Sequence, residues 1–96
     1  MIKSNNPQSD MLYDAILALR TVDECKAFFQ DLCTVAELRA REQRLEVAML
    51  LDDGLIYNDI LERTGASSAT ISRVNRALQY GADGYKTVLP RVRKDG

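Results

Sequence analysis

The sequence contains no histidine. That removes the commonest general base of enzymes and a favoured metal ligand. Cysteine occurs only twice, too few for a structural zinc site of four nitrogen and sulfur ligands. Neither a Gly-rich phosphate loop nor a nucleophile elbow is present. The four tyrosines and 14 carboxylates do not assemble into a recognisable acid/base pair. No catalytic residue, metal ligand or cofactor is therefore assigned, and the chain is not read as an enzyme. Long apolar runs are missing too: nothing approaches the roughly 18 consecutive apolar residues of a membrane-spanning helix. The segment from Met1 to Ser9 lacks the apolar stretch of a signal peptide. These absences make a cytoplasmic location, away from membranes, the expectation.

The two cysteines fit that location. Cys25 and Cys33 fall on one expected helix. At about 1.5 Å rise per residue their α-carbons lie roughly 12 Å apart, too far for a disulfide within the chain. They read as small buried apolar side chains.

What is present fits one globular domain: 96 residues, 46% of them hydrophobic. The net charge of −1 gives no general affinity for nucleic acid, but its distribution is uneven. Residues 1–56 carry six basic and ten acidic side chains, whereas residues 57–96 carry seven basic and four acidic. The second half is the basic one.

Apolar spacing predicts an all-α chain of about six short helices. Residues 1–9 are polar, contain Pro7 and read as a mobile arm. Met11, Leu12, Ala15, Ile16 and Leu19 line one face of a first helix, with Ser9 or Asp10 as its N-cap. Thr21-Val22-Asp23-Glu24 forms a capping box and opens a second helix with Val22, Cys25, Phe28, Phe29 and Leu32 on one face. Thr34-Val35-Ala36-Glu37 forms another, opening a longer helix to about Asp53, stopped at Gly54.

That third helix contains Val47-Ala48-Met49-Leu50-Leu51. Five successive apolar residues point in all directions around a helix, which must then be buried all round. A chain of this size meets that demand with difficulty. Val47, Met49, Leu50 and Leu51 are therefore expected in a dimer core, the alternative being a central helix wrapped by its own chain. Together, residues 10–54 read as dimerisation helices.

The functional signal lies in 57–80. Tyr57 to Thr64 reads as a short helix, with Asn58 as a candidate cap. Gly65 follows as a left-handed residue. Ser67 and Ser68 compete to cap the next helix, which runs to Tyr80 and stops at Gly81. Two helices joined by a tight turn, with glycine at the point needing positive φ, are the requirements of a helix-turn-helix. Ile60, Leu61, Ile71 and Val74 are apolar where the helices must face each other. The outer face of the second helix carries Ser68, Ala69, Ser72, Arg73 and Arg76. Short side chains allow close approach to base edges. Ser68 and Ser72 hydroxyls reach bases or phosphates, Ala69 meets a thymine methyl, and the arginines read guanine or clamp phosphate. Ser67 and Thr70 complete the set of candidate DNA-binding residues. Beyond Gly84, Tyr85, Val88, Leu89 and Val92 look helical, but Pro90 sits inside the pattern and predicts a short or kinked helix. Residues 93–96 read as a frayed, mostly basic tail, and 10–92 as a single domain.

Gly65-Ala66-Ser67-Ser68-Ala69-Thr70-Ile71-Ser72-Arg73 resembles the turn and recognition helix of the Trp repressor family. Phe28 to Thr34, Arg44 to Ala48 and Leu51 to Gly54 fall in the same order and spacing. Within that family the sequence is similar to the YerC/YecD group. The resemblance runs from about Met11 to Val92. It implies an intertwined all-α homodimer whose N-terminal helices interleave with the partner's. Each subunit would present one helix-turn-helix to successive major grooves of a pseudo-palindromic operator, half-sites about 34–36 Å apart.

The resemblance also implies an effector pocket, formed by one arginine on the long central helix and one on the recognition helix. Their counterparts are Arg44 and Arg73, and Thr70 also matches. The glycine that leaves room for an indole is Val74 here, and the serine that binds the ligand's amino group is Ala77. Asp31 and Cys33 replace leucines of the pocket wall. A β-branched side chain intrudes where a flat ring must slide, and an aspartate is costly to bury unpaired. L-tryptophan is therefore not expected as co-repressor. Arg44 and Arg73 either serve another small acidic ligand or touch acidic side chains and DNA phosphates. For Arg44 an ion pair on the helix surface is the plainer reading. The expected function is a sequence-specific regulator of double-stranded DNA, a repressor. The alternative is a helical protein-interaction module whose basic face meets an acidic partner.

Overall fold

The computed structural model describes residues 6–95 and contains six α-helices and no strand among them. These are α1 (Pro7–Leu17), α2 (Val22–Leu32), α3 (Val35–Asp52), α4 (Tyr57–Thr64), α5 (Ser68–Tyr80) and α6 (Gly84–Asp95). The chain divides into two compact units, with the boundary between Leu38 and Arg39, inside α3.

The first unit is built on caps. Pro7 opens α1 rather than interrupting the chain, because Asn6 accepts a hydrogen bond from the Gln8 amide and proline at the first helical position forfeits no intrahelical bond. The expected arm therefore shortens: 7–9 are helical, the cap is Asn6 and not Ser9 or Asp10, and 1–5 lie outside the described residues. Thr21 caps α2 through the Glu24 amide, while the Glu24 carboxylate accepts from the amide of Arg20, one residue before the expected Thr21. At Thr34 the box is fully reciprocal, with Glu37 N donating to Thr34 Oγ1 at 3.1 Å and Thr34 N donating to Glu37 Oε1 at 2.9 Å. Phe28 and Phe29 meet edge to face at 5.5 Å between ring centroids. Cys25 lies on α2 and Cys33 just past its end; both are half-buried free thiols, less covered than expected. Neither α1 nor α2 buries a single residue fully, and Leu17 is 83% exposed.

The second unit holds the core: Val47, Ala48, Ile60, Ala66, Ile71, Val74 and Leu89, drawn from α3, α4, α5, α6 and the α4–α5 turn. Val47, expected in a dimer core, is covered by its own chain. Met49, Leu50 and Leu51 are half-buried beside that core. Gly54 ends α3 at φ +91°. Gly81 ends α5 for a different reason: a Cβ there would collide with the Ala77 carbonyl oxygen.

The C-terminal helix differs from expectation. It runs unbroken through Pro90 to Asp95, so residues 93–95 are not a frayed tail, and Gly96 lies outside the described residues. One amide is lost at Pro90, but the neighbouring Leu89 is 1% exposed and anchors the helix. Beyond it, the Arg93 guanidinium pairs with Asp52 at 3.1 Å and with Asp53, and donates to the Met49 carbonyl at 3.1 Å. One side chain thereby caps the C-terminal end of α3. No helix among the described residues is long and apolar enough to cross a membrane.

Candidate nucleic-acid interface

The α4–α5 pair is assembled from the inside outward. Ile60 and Ile71 are 0% exposed and Val74 2%, with Leu61 half-buried beside them. These are the four residues whose spacing predicted the contact between the helices. Gly65 takes φ +69°, the left-handed conformation that the turn demands. Its amide donates to the Leu61 carbonyl at 2.9 Å, closing α4. Thr64 braces the turn twice, donating from Oγ1 to the Ile60 carbonyl and accepting from the Ala66 amide. Gln43 on α3 donates to the Thr64 carbonyl at 3.1 Å and ties the turn to the long helix.

Ser67, not Ser68, caps α5, accepting from the Thr70 amide at 3.1 Å. The Ser67 hydroxyl in turn donates to Thr70 Oγ1 at 3.0 Å. Ser67 and Thr70 therefore hold the helix start together, and Thr70 is half-buried rather than fully outward. At the start of α4 the expected Asn58 cap is absent; Ile56 occupies the cap position and supplies no side-chain bond.

Residues three and four apart share a helix face. On α5 this yields two adjoining stripes, Ser68-Ser72-Asn75-Gln79 and Ala69-Arg73-Arg76-Tyr80. All eight are exposed except Asn75, which is half-buried. The helix carries two arginines and no carboxylate, so the face is neutral to positive along its whole length. The predicted outer residues Ser68, Ala69, Ser72, Arg73 and Arg76 thus lie together on one continuous surface. Asn75, Gln79 and Tyr57 were not among them. Gln79 Nε2 donates to Asn75 Oδ1, and Asn75 Nδ2 donates to the Tyr57 hydroxyl, each at 3.2 Å. The i, i+4, i+7, i+11 spacing from Ser68 was the available sign for the two amides, and nothing local pointed to Tyr57.

The candidate effector residues are not gathered in the same way. Arg44 and Arg73 are exposed. An open apolar groove of about 360 Å³ in this unit is lined by Leu45, Ala77, Ala82, Gly84, Tyr85 and Val88, with Arg44, Thr70 and Arg73 outside its wall. Ion pairs of this unit join Lys86 to Asp83 and Arg93 to Asp52 and Asp53, and none of these three takes in Arg44.

The family described as Trp repressor protein matches residues 7–93. The chain belongs to the Trp repressor family. A relative from Bacillus subtilis (strain 168), the uncharacterised protein YerC, is 48% identical over 96% of this chain and 88% of its own length. The fold matches a crystal structure of a candidate Trp repressor from Staphylococcus aureus, with a TM-score of 0.89 and 47% identity over 93% of this chain and 89% of that one. It also matches a TrpR-like protein from Eubacterium eligens, with a TM-score of 0.88 and 49% identity over 92% and 91% of the two chains. Family and fold are those of DNA-binding regulators rather than of enzymes.

Proposed function

We propose that this chain is a sequence-specific DNA-binding transcription regulator of the repressor kind, acting as a homodimer on a pseudo-palindromic operator. The observation that carries this is the α5 surface: a carboxylate-free face of short polar side chains and arginines, set opposite the buried Ile71 and Val74 and joined to α4 through the left-handed Gly65. Such a helix-turn-helix offers its second helix to a major groove, with the N-terminal residues nearest the bases. Ser68, Ala69, Ser72 and Arg73 occupy that end.

What one chain leaves uncovered supports the dimer. With no residue of α1 or α2 fully buried, and Val22 and Val35 each 69% exposed, the apolar faces of the first unit need a second copy to leave water. Met49, Leu50 and Leu51 belong to the same demand. In vitro selection from random duplex DNA tests both parts. A two-fold-symmetric motif with half-sites about 34–36 Å apart is expected. Recovery of no enriched motif would leave either a repressor that needs a small ligand or the protein-interaction module.

L-tryptophan is not the co-repressor in this reading. Val74 is a buried member of the core at the position where the family resemblance places a glycine, and Ala77 replaces the serine. Calorimetric titration is expected to show no saturable binding of tryptophan, and micromolar saturation would refute it. Arg44 and Arg73 remain available to another small acidic ligand or to phosphates.

A further inference from the structure

We propose that Tyr57 is a DNA-backbone contact: its hydroxyl, held by Asn75 and Gln79, donates a hydrogen bond to a phosphate oxygen beside the groove that α5 enters. The proposal rests on the DNA-binding reading and adds a residue on α4 that this reading does not use. Its basis is the direction of the hydrogen-bond chain. Gln79 Nε2 donates to Asn75 Oδ1, which leaves the Asn75 amide group to donate onward, and it does so to Tyr57 Oη at 3.2 Å. A phenol oxygen that already accepts has its own O–H left to give. Tyr57 is 38% exposed, and its bond with Asn75 lies at the surface, so the hydroxyl is open to an acceptor from outside.

Position narrows the partner. Asn75 and Gln79 continue the Ser68–Ser72 stripe, so the chain of bonds borders the surface proposed to meet DNA. Its end is on α4, off the axis of α5. With α5 in the major groove, base edges lie under α5 itself, and the sugar–phosphate strands run along the groove's two edges. A donor on the adjoining helix meets a strand, and phosphate oxygens only accept. Being uncharged, the phenol displaces no counterion, so it adds affinity without steepening the salt dependence. Asn75 and Gln79 are positioning residues here: they aim the hydroxyl.

The test compares the full-length protein with Tyr57→Phe and with Tyr57→Phe/Asn75→Ala. Each is titrated with the selected duplex and with random duplex at several salt concentrations, alongside its melting temperature. Tyr57→Phe is expected to weaken binding to both duplexes alike by about tenfold for each copy of the contact, the scale of a hydrogen bond to a charged acceptor. The ratio between the duplexes, the salt slope and the melting temperature are expected to stay unchanged, and adding Asn75→Ala to cost nothing further. Unaltered binding by Tyr57→Phe overturns the proposal. So does a loss confined to the selected duplex, which would make Tyr57 a base reader. A fall in melting temperature that accounts for the loss, or a further loss on adding Asn75→Ala, overturns it as well. If the unaltered protein binds neither duplex, the DNA-binding reading fails and takes this proposal with it.

Discussion

Replacing Ile71 by alanine is expected to cost about 2–5 kcal/mol of stability. Ile71 is 0% exposed and packs in the cluster that also holds Val47, Ala48, Ile60, Ala66, Val74 and Leu89. Truncation to the β-carbon removes three carbons from a site whose neighbours come from four different helices and a turn, so little of the space can close. Domains of this size are held by only about 5–15 kcal/mol in all, which makes the loss a large fraction of the total. Urea unfolding followed by circular dichroism, at one protein concentration because assembly would couple to stability, checks it. Ser72→Ala, one residue on and exposed, is the control and should stay within about 0.5 kcal/mol. An Ile71→Ala loss below about 1 kcal/mol would mean that α5 is not packed as described. The same burial sets the outer face: with Ile71 and Val74 fixed inward, helical geometry leaves Ser72, Arg73 and Arg76 no direction but outward.

Signals confined to a few consecutive residues were legible in the sequence. The Thr34–Glu37 box, the glycines at 54 and 65 and the period of the outer α5 face all appear where local rules place them. Prolines divide on context. Pro7 read as part of a mobile arm yet starts α1, because the asparagine before it supplies the cap. Pro90 pointed to a short or kinked helix, yet α6 runs 12 residues with Pro90 inside it, because Leu89 and Arg93 hold both sides of it in place. Arg93 could not have been placed from sequence, since the Met49 carbonyl that it caps lies 44 residues away. The same holds for Tyr57 and Asn75, 18 residues apart and brought together only by the α4–α5 packing. For Val47 to Leu51 the composition stated that cover was needed but not its source. Val47 and Ala48 find it within their own chain, and the three that follow find only half.

Arg73→Ala and Arg76→Ala are expected to weaken operator binding in two different ways. Both side chains are exposed on one stripe of α5, a turn apart, and neither takes part in the ion pairs of the unit, so melting temperatures should not move. Arg73 stands nearer the N-terminal end, from which a recognition helix reaches base edges. Its loss should cost about 1–3 kcal/mol on the selected duplex and much less on random DNA, relaxing preference at one position of each half-site. Arg76 stands one turn farther along, where the helix draws away from the bases toward the strand. Its loss should weaken both duplexes together and lower the slope of log affinity against log salt by about 1 for each copy of the contact, because a phosphate-bound cation releases counterions. Binding measured across salt on both duplexes separates the roles. If Arg73→Ala weakens both equally and Arg76→Ala alone relaxes preference, the helix lies in the groove the other way along its axis. If neither changes affinity, α5 does not meet the DNA.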